Sequence, residues 1–229
     1  MIVIKVLVAC EESQAVTIEL RKLEHEAYSC DIEPCSGGHP EWHLQQDVLP
    51  LLKEKWDMII AFPPCTYLSN AGACRLYPTK GNLDQERYKK GLEAKDFFLH
   101  FLNADCPRIA VENPVSSKIF EMPAHTQEIQ PYMFGHPYTK KTRLWLKGLP
   151  NLKATNLVDV VAPYVPSGTG RKNTAKYGAA KRGDDAKNRS KTFSGIAKAM
   201  ATQWAQGETV SLSNLLLPRG YPDSLYCIR

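Results

Sequence analysis

Short apolar runs rich in β-formers recur at 2–9, 27–31, 58–62, 109–111 and 144–146, separated by stretches with helical spacing. This alternation narrows the fold more than any other feature. Strands that alternate with helices predict an α/β domain built on a mostly parallel sheet flanked by helices. Ser13 is placed to cap a first helix running to about Leu23, with Val16, Leu20 and Leu23 on one face. A second helix is expected over 86–103, with Leu92, Phe98, Phe101 and Leu102 at helical spacing. A third begins at Ser194 and turns Ile196, Met200 and Trp204 to one side. In sheets of this kind ligands sit beyond the carboxyl ends of the strands. Cys10, Asp31, Cys65 and Glu112 all fall at such ends.

The chain has 229 residues, 43% of them hydrophobic, which suits one sizeable core with at most a small annex. A net charge of +5 permits nucleic-acid binding without establishing it. No apolar run approaches a membrane span, and the first residues read as a strand rather than a signal peptide. Seven cysteines, an odd number, read as reduced thiols in a cytoplasm. After about residue 150 the composition shifts. The segment holding Arg171, Lys172, Lys176, Lys181, Arg182, Lys187, Arg189 and Lys191 is basic and poor in large apolar side chains. It reads as an exposed loop-rich insertion, suited either to phosphate contacts or to a solvated charged surface.

Two strand ends carry the chemistry. In Phe62-Pro63-Pro64-Cys65 the prolines cannot continue a central strand, so the chain leaves it stiffly and projects a thiol into the crevice. Cysteine is the most nucleophilic common side chain near neutral pH, although a free cysteine also packs as a small hydrophobe. In Val111-Glu112-Asn113-Pro114 a second strand ends in a carboxylate. Desolvated there, Glu112 would hold a proton near neutral pH; beside a Lys or Arg it would be an ordinary ion pair.

Pro-Pro-Cys at one strand end and Glu-Asn-Pro at the next resemble the two signature motifs of DNA cytosine-5 methyltransferases, most of all small phage-type members. The resemblance spans about residues 1–206. It implies a Rossmann-like methyltransferase fold that binds S-adenosylmethionine and double-stranded DNA as a monomer in a bacterial cytoplasm. It divides the chain into a catalytic and cofactor-binding domain (1–150), a small target-recognition insertion (151–191), a returning helix (192–206) and a tail without assigned role (207–229). The family's glycine-rich cofactor motif falls on Ala9-Cys10-Glu11-Glu12-Ser13, which contains no glycine. Asp31, followed by Ile32, matches the ribose-binding acid, Asp47 the acid at the adenine end, and Phe62 lines the cofactor side. Lys141 and Arg143 match the family's paired arginines, with one extra residue between them and Pro137.

The resemblance makes Cys65 the nucleophile on carbon 6 of cytosine and Glu112 the group that holds ring nitrogen 3. It makes Arg143 a catalytic contact to the base, and places Pro64, Asn113 and Lys141 around it. Arg171, Lys172 and Arg182 then contact DNA, and so small a recognition segment implies a short target sequence. The cytosine must be flipped from the duplex, at a cost of a few kcal/mol. Such a phage enzyme would serve restriction protection or prepare cytosine for further modification. Two other readings stand beside this one: a degenerate DNA-binding relative, and an enzyme that modifies free cytidine nucleotides. Cys30, Cys35, His39 and His43 are too closely spaced for a zinc finger, and no metal site is expected.

Overall fold

The apolar runs pair into one sheet in the computed structural model, which describes residues 2–79, 81–164 and 191–205. Its strands are β1 (Lys5–Ala9), β2 (Glu26–Asp31), β3 (His43–Gln45), β4 (Met58–Ala61), β5 (Ile109–Pro114), β6 (Gln127–Ile129) and β8 (Thr142–Lys147). A separate parallel pair joins β7 (Tyr138–Thr139) to β9 (Ala162–Pro163). The helices among the described residues are α1 (Ala15–Lys22), α2 (Gln85–Leu102) and α3 (Ser194–Ala205). The sheet order is β3-β2-β1-β4-β5-β8-β6. β1 to β5 run parallel, while β8 runs antiparallel to both its neighbours. This is a Rossmann-like α/β fold, a mostly parallel sheet flanked by helices, as expected from the sequence.

Successive strand residues point to opposite faces, and both faces are covered. Val6, Val8, Met58, Ile60, Ala110 and Leu144 pack beneath α1 and α3, against Val16, Leu20, Ile196, Met200 and Trp204. Leu7, Ile59, Ala61, Val111 and Trp145 pack beneath α2, against Phe98 and Phe101. The central strands are therefore near-continuous apolar runs, as buried parallel strands must be.

Local details depart from the sequence reading. β1 begins at Lys5, leaving Ile2 and Val3 exposed. Ser13 does not cap α1. Gln14 is the N-cap residue, without a capping side chain, and the Glu11 carboxylate takes over. It accepts hydrogen bonds from the Val16 amide (2.6 Å), the Thr17 amide (3.2 Å) and the Thr17 hydroxyl (2.8 Å). On α2, Leu92 faces solvent, and Gly91 takes the inward position because the Phe120 ring occupies the space of a side chain. β5 runs three residues past Val111 because its antiparallel partner β8 continues to pair with Glu112, Asn113 and Pro114.

Candidate active site

The crevice opens where two adjacent strands part. β4 pairs with β5 only as far as Ala61–Val111. Beyond that point the prolines turn the β4 chain away, while β5 is carried on by β8. The two exits are then stitched together. The Asn70 amide donates to the Val115 carbonyl and the Ser117 amide to the Leu68 carbonyl, each at 2.8 Å, around a Ser69–Ser116 bridge. The fully buried Asn113 donates its Nδ2 to the Pro63 carbonyl at 3.4 Å, tying the glutamate strand to the turn before the thiol. Cys65 itself starts a tight turn, its carbonyl accepting from the Leu68 and Ser69 amides at 3.2 and 2.8 Å. Pro64 sits exposed at that turn.

Glu112 lies in a pocket with Phe62, Lys140, Thr142, Phe193 and Met200. Burial raises its pKa above the usual carboxylate value, opposed by the Lys140 ammonium and a hydrogen bond with Thr142. Burial also pushes the Cys65 thiol up, the Glu112 carboxylate adds to this, and Lys140 works against it. Glu112 and Lys140 thus share a pocket, and Cys65 stands on the adjacent strand exit.

Strand parity corrects the other expected contacts. Residues directly opposite in an antiparallel pair share a face, and a step of one residue reverses it. Thr142 and Leu144 stand opposite Pro114 and Glu112, whereas Arg143 stands opposite Asn113. Arg143 therefore points to the face away from Glu112, where its Nε donates to Glu128 on β6 at 3.0 Å. Lys141 joins the same carboxylate at 3.3 Å. Neither takes the position the resemblance implied. Lys140 and Thr142, which sequence reasoning missed, line the pocket instead. The signal was present: the extra residue after Pro137 shifts the motif by one and so exchanges its faces.

At the ends of β1 and β2, Cys10 adopts a left-handed backbone (φ 58°), as does Gln14 (φ 56°). These two non-glycine residues carry the left-handed turn between β1 and α1. Burial and the charges of Asp31 and Asp47, with a contribution from Cys30, drive the Cys10 thiol pKa strongly upward. Cys10 and Asp31 follow directly on the paired Ala9 and Cys30 at adjacent strand ends. Asp31 accepts from the Glu33 amide and Asp47 from the Leu49 amide, both at 3.0 Å, beside an exposed Ile32. Glu11 departs from its expected cofactor contact: it is buried as the α1 cap, and burial raises its pKa to about 7. Glu12 hydrogen-bonds Ser36, and Gly37 packs against Gln14 and the Ser13 carbonyl. The 32–39 loop therefore lies over the 10–14 turn, pinned by Gln14, which donates to the His39 carbonyl and accepts from its amide.

Arg171, Lys172 and Arg182 lie outside the described residues. The described start of their segment runs along 132–139, joined by amide bonds that include Val158 to Tyr132 and Tyr164 to Thr139. This brings Tyr164 against Phe193 (ring centroids 4.7 Å apart) beside the pocket. Among the described residues no group of His, Cys, Asp and Glu is arranged to hold a metal ion, and no helix is long and apolar enough to cross a membrane.

No protein-family model and no curated protein matches this chain. Among solved structures, an rRNA methylase from Escherichia coli is 18% identical, covering 62% of this chain and 56% of its own, with a TM-score of 0.35. The Entamoeba histolytica methyltransferase EhMeth is 12% identical over 69% of this chain and 58% of its own, at 0.43. The S. pombe Dnmt2 methyltransferase is 11% identical over 65% and 51%, at 0.38. The chain spans little more than half the length of each.

Proposed function

We propose that this chain is an S-adenosylmethionine-dependent DNA cytosine-5 methyltransferase. One observation carries the reading: a cysteine and a glutamate stand just past the point where two adjacent parallel strands part, on exits stapled together by hydrogen bonds at the carboxyl edge of the sheet. A cytosine extruded into that crevice meets the thiolate of Cys65 at carbon 6. The S–C6 bond forms as Glu112, whose raised pKa suits it to hold a proton, shares that proton with ring nitrogen 3. Carbon 5 becomes electron-rich. Loss of the proton at carbon 5 later restores the double bond and expels the thiolate. Asn113 keeps the Pro63 turn, and with it the sulfur, in register with β5.

The residues at the ends of β1 and β2 fit the cofactor. Asp31 and Asp47 offer carboxylate oxygens for ribose and adenine, Ile32 an exposed apolar surface, and Phe62 a wall shared with the Glu112 pocket. When bound, S-adenosylmethionine supplies the methyl group that carbon 5 receives. The basic segment with Arg171, Lys172 and Arg182 offsets the cost of base flipping through phosphate contacts, and its small size suits a short recognition sequence.

The test is DNA carrying 5-fluorocytosine with S-adenosylmethionine. Fluorine at carbon 5 cannot leave as a proton does, so the thiol mechanism traps a covalent protein–DNA adduct. The adduct is expected with the wild type and absent with Cys65→Ser; an adduct that persists in Cys65→Ser removes the mechanism. Adduct on 5-fluorocytidine RNA alone moves the substrate from DNA to RNA. A non-catalytic DNA-binding reading draws on the inward-turned Glu11 and the 32–39 loop lying over the 10–14 turn. Calorimetry decides that point, since such a protein binds DNA but no S-adenosylmethionine.

A further inference from the structure

Glu112 and, on the neighbouring strand exit, Cys65 can each carry negative charge, and Lys140 lines the pocket of the first. Lys140 and Glu112 line the same pocket, and the Cys65 turn is stapled to the strand that bears Glu112. The lysine is held in place. Its amide donates to Gln130 Oε1 at 2.9 Å, and its ammonium lies 5.9 Å from the Tyr164 ring centre and 5.8 Å from that of Phe193. These half-buried rings add no charge of their own and narrow the side chain's freedom.

Among the described residues, Lys141, Arg143 and Arg87 are engaged elsewhere. Lys141 and Arg143 bind Glu128 on the far face of β8. Arg87 of α2 donates to the Thr66 carbonyl at 3.1 Å and lies over Tyr67. β8 brings the Thr142 hydroxyl, and the α3 side brings Thr192, Phe193, Ile196 and Met200, none of them charged.

We propose that Lys140 is the counter-ion that makes Cys65 and Glu112 a one-proton pair. The pair carries a single negative charge, matched by the Lys140 ammonium, which is the one charged nitrogen lining the pocket among the described residues, and one proton is shared between sulfur and carboxyl. In the resting arrangement the proton is on sulfur and Glu112 is the anion. In the reactive arrangement the S–H bond is broken, its electron pair stays on sulfur, and the proton resides on a Glu112 oxygen. Lys140 keeps its own protons throughout. Net charge is the same in both, so one proton relocation arms the nucleophile and the acid together. A lone thiolate beside an ionised Glu112 would put two anions against one cation in a buried site. This agrees with the directions in which the three groups move one another: Glu112 disfavours the thiolate, and Lys140 favours both anions. Lys140 therefore acts through its two neighbours, as a positioning charge.

This inference rests on the reading of Cys65 as nucleophile, but its test needs neither DNA nor cofactor, so the two can fail separately. The full chain is alkylated with iodoacetamide across pH 6–10, and the Cys65 peptide is followed by mass spectrometry. Lys140→Met is expected to raise the midpoint of Cys65 alkylation by about one pH unit or more, slowing it about tenfold at neutral pH. Lys140→Arg is expected to restore the midpoint, and Arg143→Met to leave it where the wild type has it. Glu112→Gln is expected to lower the midpoint, because the competing anion is gone. An unchanged midpoint in Lys140→Met overturns the proposal, as does an equal shift in Arg143→Met. Should Lys140→Met fail to fold, Glu112→Gln decides alone: a midpoint that does not fall refutes the shared proton.

Discussion

Glu11 shows how one carboxyl can set the pH response of a fold. It stands fully inside, beneath the first turn of α1, and three donors aimed at it do not overcome the loss of water. Its pKa in the folded protein, about 7, lies above the ordinary 4.5. A raised pKa means stability is fully present below the unfolded value and is lost as pH rises through the folded one. Glu11 should therefore cost the fold on the order of 3 kcal/mol between pH 4.5 and 7. Glu11→Gln keeps an acceptor for the Val16 amide but cannot ionise. Urea unfolding midpoints measured over that range should be flatter for Glu11→Gln than for the wild type. Parallel curves would assign the pH dependence to another group.

At the scale of an element, α3 is placed by what its first turn touches. The Gly195 amide donates to His136 Nε2 at 3.0 Å, so the imidazole serves as a cap from a distant loop. A Cβ on Gly195 would stand 1.9 Å from the Phe134 carbonyl oxygen, a backbone atom with no freedom to retreat. Gly195→Ala should improve helix propensity yet destabilise the protein by about 2 kcal/mol or more, because the start of α3 must move. Thermal unfolding measures this. The same displacement carries Thr192, Phe193, Ile196 and Met200, so reactivity at Cys65 should change with it. A Gly195→Ala protein as stable as the wild type would mean that α3 is not held at this point. β8 makes a related case: its pairing sends Thr142 to the Glu112 face and Arg143 to the other. A single inserted or deleted residue at 139–141 would exchange them.

At the scale of the molecule, a doubly covered sheet supplies rigidity, and on the proposed function the basic segment supplies attraction for DNA. With a net charge of +5, the proposed binding to DNA should weaken steeply with salt. Replacing Arg171, Lys172 and Arg182 with Ala is expected to lower affinity about equally for all DNA sequences. It should also reduce the slope of log K against log salt by about 3, as phosphate contacts require. A change confined to one target sequence would instead mean that these residues read bases.

The alternation of apolar and helical stretches was enough to place five of the sheet's seven strands, because continuous apolar runs and period-3.6 burial are local properties of the chain; β3 and β6 are too short to show either. That Cys65 and Glu112 stand at neighbouring strand exits was legible for a similar reason: prolines at the end of an apolar run mark where a strand stops. Three things could not be read along the chain. That Glu11 turns inward to cap α1, that the 32–39 loop covers the 10–14 turn, and that Lys140 rather than Arg143 faces Glu112 all depend on partners distant in sequence. Which way a side chain points is set by strand register, and register is decided only when the strands meet. Motifs along the chain marked the candidate residues; tertiary pairing chose the residues that surround them.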